Sequence, residues 1–220
     1  PGSTMARHAE NLLLCRAGEE RAVAATKTYT AEMTLLAMLA LALAGDSAAE
    51  IGCLPDKLRE TLRLEDEIRA RAERYAFIEE CAVIARGLNQ ATALETALKL
   101  QETSRIGAKG FSAADFLHGP IAMLRRNYPV LLFAPAGAAL DGLRETAAKV
   151  AERGGELVVF GDDEQVLGMA RTALRLPPVD EMFSPFTCIV AAQLLACFLA
   201  EAKGYDPDRP QGLEKITVTR

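Results

Sequence analysis

The sequence predicts an α/β protein with a doubly wound parallel sheet, and three observations lead there. Short, continuous apolar runs recur at Cys81–Ala85, Val130–Ala134, Leu157–Phe160 and Ala173–Leu176, as expected of parallel strands covered on both faces. Helical segments lie between and after them, at Ala91–Thr103, Ala113–Leu124, Ala138–Arg153 and Gln165–Met169. Half of the 220 residues are hydrophobic and a quarter are charged, which gives ample core for one large domain or one and a half smaller ones.

The first element expected is a short strand at Asn11–Cys15, followed by a loop through Ala17–Arg21. A helix from Thr26 to Ala44 comes next and ends at Gly45. This is the pattern of the closing part of an α/β unit, so residues 1–54 are expected to complete a sheet whose earlier strands lie outside the chain. Thr26, Lys27 and Thr28 stand at the helix start, where free N–H groups meet a capping hydroxyl or an anion. Asp46–Leu54 is a small-residue connector, and Pro55 opens a charge-dense connecting helix over 55–74. The second unit, 75–203, holds the alternating strands and helices and closes with a buried helix at Ser184–Lys203. A Pro-rich tail, 204–220, carries Lys215.

Composition narrows the function. The net charge is −5, there is no Trp, and no basic stripe with interleaved aromatics occurs, so nucleic-acid binding is disfavoured. The five cysteines lie far apart without a C-x-x-C, which fits free thiols in a reducing, cytoplasmic setting. Two histidines and no paired cysteines disfavour zinc. The apolar runs Leu35–Ala44 and Thr187–Ala200 are too short, or too broken by Gln193, for a membrane span.

The chemistry concentrates in Ala91–Pro120. On a helical wheel at about 100° per residue, Lys99 falls about 40° and Glu102 about −20° from Glu95, with Thr92, Thr96 and Thr103 beside them. Ala93, Leu94, Ala97, Leu98 and Leu100 fill the rest, so the helix is expected to be buried. Two carboxylates and an amine on its one polar strip form either an i,i+4 and i,i+3 ion-pair chain or a proton-transfer device. His118, in Leu117-His118-Gly119-Pro120, is either structural or a second acid/base group. Arg86-Gly87-Leu88-Asn89 follows a strand and opens a helix, a place where ligands bind in open sheets, although a tight turn explains it equally. Ala134-Pro135-Ala136-Gly137-Ala138 lacks Ser and Thr and is not expected to cradle a phosphate.

Ala-Leu-Glu-x-Ala-Leu-Lys-Leu-x-Glu at Ala93–Glu102, with His118-Gly119-Pro120, resembles the second subdomain of the sugar isomerase (SIS) family as found in glucosamine-6-phosphate synthases. Glu20–Thr30 resembles the end of the first subdomain, and Asp208–Thr219 the family's C-terminal segment. The pattern is also similar to that of synthase-like glucosamine-6-phosphate deaminases. The resemblance implies a three-layer, flavodoxin-like SIS fold, with one complete subdomain plus the C-terminal part of another, and a homodimer. It implies interconversion of ketose and aldose or amino-aldose 6-phosphates with no metal or cofactor, the ligand being a hexose or hexosamine 6-phosphate. In it Glu102 matches the base that moves a proton between C1 and C2, and Lys99 the lysine beside it. His118 matches a ring-opening histidine that reaches the neighbouring subunit's site. Lys215 matches a tail lysine that closes over the sugar, with Glu214 next to it. Val23 matches a backbone contact to the sugar and Glu95 a glutamate on the same strip. The family's Ser/Thr-rich phosphate loops have no counterpart here, and Ala25 stands where the synthases have serine. The other functions to weigh are a non-catalytic sugar-phosphate-binding regulatory module and an α/β core that only assembles.

Overall fold

The structure, a computed structural model, describes residues 3–215. Five parallel strands form one sheet: β1 (Glu80–Ala85), β2 (Gly107–Ser112), β3 (Pro129–Ala134), β4 (Glu156–Gly161) and β5 (Thr172–Arg175), in spatial order β2-β1-β3-β4-β5. That order is the flavodoxin-like one, in which the chain reverses direction across the sheet between β1 and β3.

Ahead of the sheet come α1 (Thr4–His8), α2 (Lys27–Ala44), α3 (Leu54–Leu62) and α4 (Glu65–Arg74). The crossovers and the last helix are α5 (Gln90–Ser104), α6 (Ala113–Leu117), α7 (Leu140–Glu152), α8 (Glu164–Met169) and α9 (Ser184–Ala202). Strand residues alternate between two cores, as a period of two requires. Cys81, Val83, Leu131, Phe133, Val158 and Phe160 face α4, α5 and α9. Ala82, Ile84, Val130, Leu132 and Val159 face α6, α7 and α8. Phe133 and Phe160 stack with centroids 4.9 Å apart.

Several expectations change. Asn11–Cys15 is not a strand: the segment has no regular structure and Leu12, Leu13 and Leu14 are exposed. A strand without a neighbour leaves its N–H and C=O groups unmatched, and the sheet takes its partners elsewhere. The connecting helix breaks into α3 and α4 at Arg63-Leu64. The expected helix 113–124 is the short α6 followed by a 3-10 turn, because Gly119-Pro120 interrupts it. Strand β2, Gly-Ala-Lys-Gly-Phe-Ser, carries no strand pattern in its sequence, since its glycines hide the apolar signal. Gly110 is needed there: a Cβ would lie 3.1 Å from the Ala93 carbonyl oxygen and from Leu94 Cα, so its absence lets α5 settle on the edge strand. Helix α9 with its preceding turn, Glu181–Ala202, is long and apolar enough to cross a membrane by length and composition, contrary to the expectation. It is a core helix, however, with 72% of its most apolar window buried beneath α3, α4 and α5. Within the tail, 216–220 lie outside the described residues.

Gly161 pairs with Ala134 at the carboxyl end of the sheet, and a Cβ there would come 2.2 Å from the Ala134 carbonyl oxygen. Backbone oxygen cannot yield, so Gly161→Ala should destabilise the fold by about 2 kcal/mol or more, read as a lower urea midpoint.

Candidate functional site

Helix α5 buries an apolar and a polar strip side by side. Ala93, Ala97 and Leu100 pack into the core, Thr92, Thr96, Lys99, Thr103 and Ser104 are buried beside them, and Leu94 and Leu98 are half-exposed. The charged and hydroxyl residues share one strip, as the helical spacing requires, but the helix is not buried all round. Back-bonding makes the burial tolerable. Thr96 Oγ1 donates to the Thr92 carbonyl at 2.7 Å and Thr103 Oγ1 to the Lys99 carbonyl at 2.8 Å. Ser104 Oγ donates across to the Ala196 carbonyl of α9 at 3.1 Å. At the other end, Asn89 donates to Ser184 Oγ at 2.8 Å and accepts from Thr92 Oγ1, which ties the start of α5 to the start of α9. The Arg86–Asn89 segment is therefore a structural turn, with Gly87 at φ +62°.

Among the described residues Lys99 is the most deeply buried charge, at 5% exposure. Its Nζ contacts Glu102 Oε2 and lies 3.5 Å from Glu95 Oε1. Burial pushes the Glu95 carboxyl above the ordinary carboxylate range; Lys99 opposes this, and the nearby Glu102 charge adds to it. Burial, followed by the Glu95 charge, raises the phenol of Tyr29 on α2. Glu102 is the more open of the two carboxylates, with about twice the side-chain exposure of Glu95.

Lys99 and Thr103 line a cleft of about 390 Å³ whose opposite wall comes from far away in sequence: Ala22, Thr26 and Lys27 before and at the start of α2, and Pro207-Asp208 of the tail. The two distant segments are bonded to each other. The Val23 N–H donates to the Asp208 carbonyl at 3.1 Å, and Lys215 Nζ donates to the Ala22 carbonyl at 2.5 Å. With its N–H engaged, Val23 presents its carbonyl as its remaining main-chain polar group.

Lys99 and the residues on either side of Val23 line this cleft; Glu95 and Glu102 adjoin it through Lys99, and Lys215 through the Ala22 carbonyl. Glu214 stands exposed on the tail beside Lys215. His118 is not brought in. It caps α6, which packs on the face of the sheet opposite α5, and it is solvent-exposed beyond the carboxyl end of β2. Glu102 lies at the other end, roughly 18 Å along α5 from its start at a rise of about 1.5 Å per residue. The N–H groups expected to be free at the start of α2 are also taken, by Glu20: its Oε2 accepts from Thr26 N–H at 3.3 Å, Thr28 N–H at 2.9 Å and Thr28 Oγ1 at 2.8 Å. Burial works against the Glu20 anion, yet these bonds and the charge of Lys215 hold its carboxyl below the usual range. Glu20 and Asp208 were missed in the sequence because their partners lie across a loop or at the far end of the chain.

The turn after β3 is closed to phosphate in the same way. The Ala136 N–H donates to Asp162 Oδ1 at 2.7 Å and the Ala138 N–H to Glu181 Oε2 at 2.9 Å. Cys81 and Cys188 are buried, and burial pushes both thiols up, Cys81 to about 12, which suits an inert role. Among the described residues, no group of three or more His, Cys, Asp or Glu is placed to hold a metal ion.

A flavodoxin-like sheet carrying a charged strip on its first crossover helix defines the class, and residues 79–200 match the SIS domain model. The chain belongs to the SIS domain family. It is similar to the glutamine–fructose-6-phosphate aminotransferase (isomerizing) of Pyrococcus horikoshii, at 37% identity over 99% of this chain and 38% of that protein. The same enzyme of Thermococcus kodakarensis matches at 37% identity, again over 99% and 38%. The solved C-terminal domain of glucosamine-fructose-6-phosphate aminotransferase from Francisella tularensis superposes with a TM-score of 0.87 at 28% identity, covering 94% of this chain and 62% of that one. This chain therefore spans under two fifths of the length of these curated relatives.

The raised Glu95 carboxyl makes a prediction about pH. A carboxyl raised in the folded state supports the fold fully below its unfolded value, 4.5, and that support is lost as pH rises through the raised folded value. Glu95→Gln should therefore gain stability relative to the parent as pH climbs from 4 to about 7, seen as converging or crossing Tm-against-pH curves. Parallel curves would mean that burial does not govern this group.

Proposed function

We propose that the chain carries the acid/base part of a phosphosugar isomerase site, interconverting ketose and aldose or amino-aldose 6-phosphates of the fructose 6-phosphate and glucosamine 6-phosphate class. The observation that carries this reading is the nearly buried Lys99 held between two carboxylates beside a cleft walled by the Val23 loop and the tail. The relatives' names supply the reaction class.

In this reading Glu102 takes the proton from the carbon next to the sugar carbonyl and returns it to the neighbouring carbon. Its greater exposure leaves it room to approach a substrate. Negative charge develops on the former carbonyl oxygen as the proton leaves, and the Lys99 ammonium, held in place before the reaction, stabilises it. Glu95 keeps Lys99 aimed and contributes to binding. The Val23 carbonyl accepts from a sugar hydroxyl, and Lys215, with Glu214 beside it, closes the tail over the ring. Residues 75–203 form the catalytic SIS unit, 1–54 and the 55–74 connection adjoin it, and 204–220 is the closing tail. His118 opens the sugar ring in the site of a second copy, which accounts for its position on the far face. The working form is a cytoplasmic homodimer; the free state of all five cysteines fits a reducing compartment.

Two measurements on the intact protein test this. Glu102→Gln should lower turnover of fructose 6-phosphate with ammonia, or of glucosamine 6-phosphate, by about 10²- to 10⁴-fold. An unchanged rate removes Glu102 as base, and sugar-phosphate binding without turnover by the parent favours a regulatory module. Mixing Glu102→Gln with His118→Gln after subunit exchange should restore activity, since one of the two composite sites then keeps both residues. If neither exchange nor co-expression restores it, His118 does not act across an interface.

A further inference from the structure

We propose that Glu20 is a positioning residue that sets the tail lysine over the site, acting through the Ala22 carbonyl; the inference rests on the isomerase reading above. Three donors converge on one oxygen: Thr26 N–H, Thr28 N–H and Thr28 Oγ1 all meet Glu20 Oε2, at 3.3, 2.9 and 2.8 Å. They close residues 20–28 into a ring against the first turn of α2, where a carboxylate is also favoured by the helix dipole. Lys27 reinforces the ring by bonding the Glu19 carbonyl.

The ring has a purpose beyond capping, because two contacts of the tail land inside it. Lys215 Nζ bonds the carbonyl of Ala22, two residues from Glu20, and Val23 N–H bonds the carbonyl of Asp208. A main-chain carbonyl can place an ammonium only as well as its own peptide is fixed. The loop between Ala17 and Thr26 has no sheet or helix to fix it, so the Glu20 carboxylate supplies that order. No Glu20–Lys215 ion pair occurs among the described residues, yet the Lys215 charge favours the Glu20 anion, which suits a residue that orders the lysine's acceptor instead of gripping the lysine itself.

The test is a double-mutant cycle on the intact protein. Glu20→Gln keeps the side-chain length and removes the charge. It should lower kcat about tenfold and speed hydrogen exchange of the Val23 amide. In a Lys215→Met background, Glu20→Gln should lower kcat by less than about twofold, because a residue acting through Lys215 has nothing left to position. A merely structural role lowers kcat equally in both backgrounds and overturns the proposal. So does faster exchange at Val23 with an unchanged kcat. Thr28→Val, which deletes one donor and keeps the ring, is the milder check should Glu20→Gln fold poorly: it should reproduce the same non-additivity at about two- to threefold. Glu102→Gln, assayed alongside, decides the isomerase reading separately, so failure of one is not mistaken for failure of the other.

Discussion

Burying one ammonium group organises this site. Removing a charge from water costs several kcal/mol unless opposite charge and hydrogen bonds replace the lost hydration. Lys99 is buried among threonines, and Glu95 and Glu102 on its own helix provide the compensation. The spacing of three and four residues allows both to reach it without distorting the helix. The rest of α5 follows: small hydroxyl residues, bonded back to their own helix, let α9 approach closely, and the larger Leu94 and Leu98 are left toward solvent. The cleft exists because the face that carries Lys99 is not fully covered by α9, and the Val23 loop and the tail finish the wall.

A second regularity is the use of carboxylates to occupy turn and helix-start donors. Glu20 fills the first turn of α2, while Asp162 and Glu181 take two N–H groups of the turn after β3. Each would otherwise attract an anion. The basic groups Lys99 and Lys27 line the cleft, and Lys215 adjoins it from the tail.

Much of the fold was legible because parallel strands buried on both faces have a plain signature. Leu157–Phe160 and Val130–Ala134 are unbroken apolar runs, and the structure extends each by only one or two residues. Strand β2 was not legible. Its glycines are dictated by the close approach of α5, a contact between neighbours in space that no local pattern reports. Asn11–Cys15 failed for the converse reason: three leucines in a row look like a strand, but a strand requires a partner and the sheet found others. Within the site, Glu95, Lys99 and Glu102 were visible because helical periodicity alone aligns them. Glu20 and Asp208 were not, because their roles depend on loop closure and on a contact between the two ends of the chain.

The sequence by itself determined the doubly wound class, the charged strip and the identity of the groups available for proton transfer, since these depend on periodicity and residue type. Only the tertiary structure decided which face of α5 turns inward, that the tail lysine meets the Ala22 carbonyl, and that His118 stands on the opposite side of the sheet. The physical reason is the range of the interactions. Helical neighbours are fixed by covalent geometry within a few residues, whereas desolvation of a charge depends on whatever the rest of the chain packs around it.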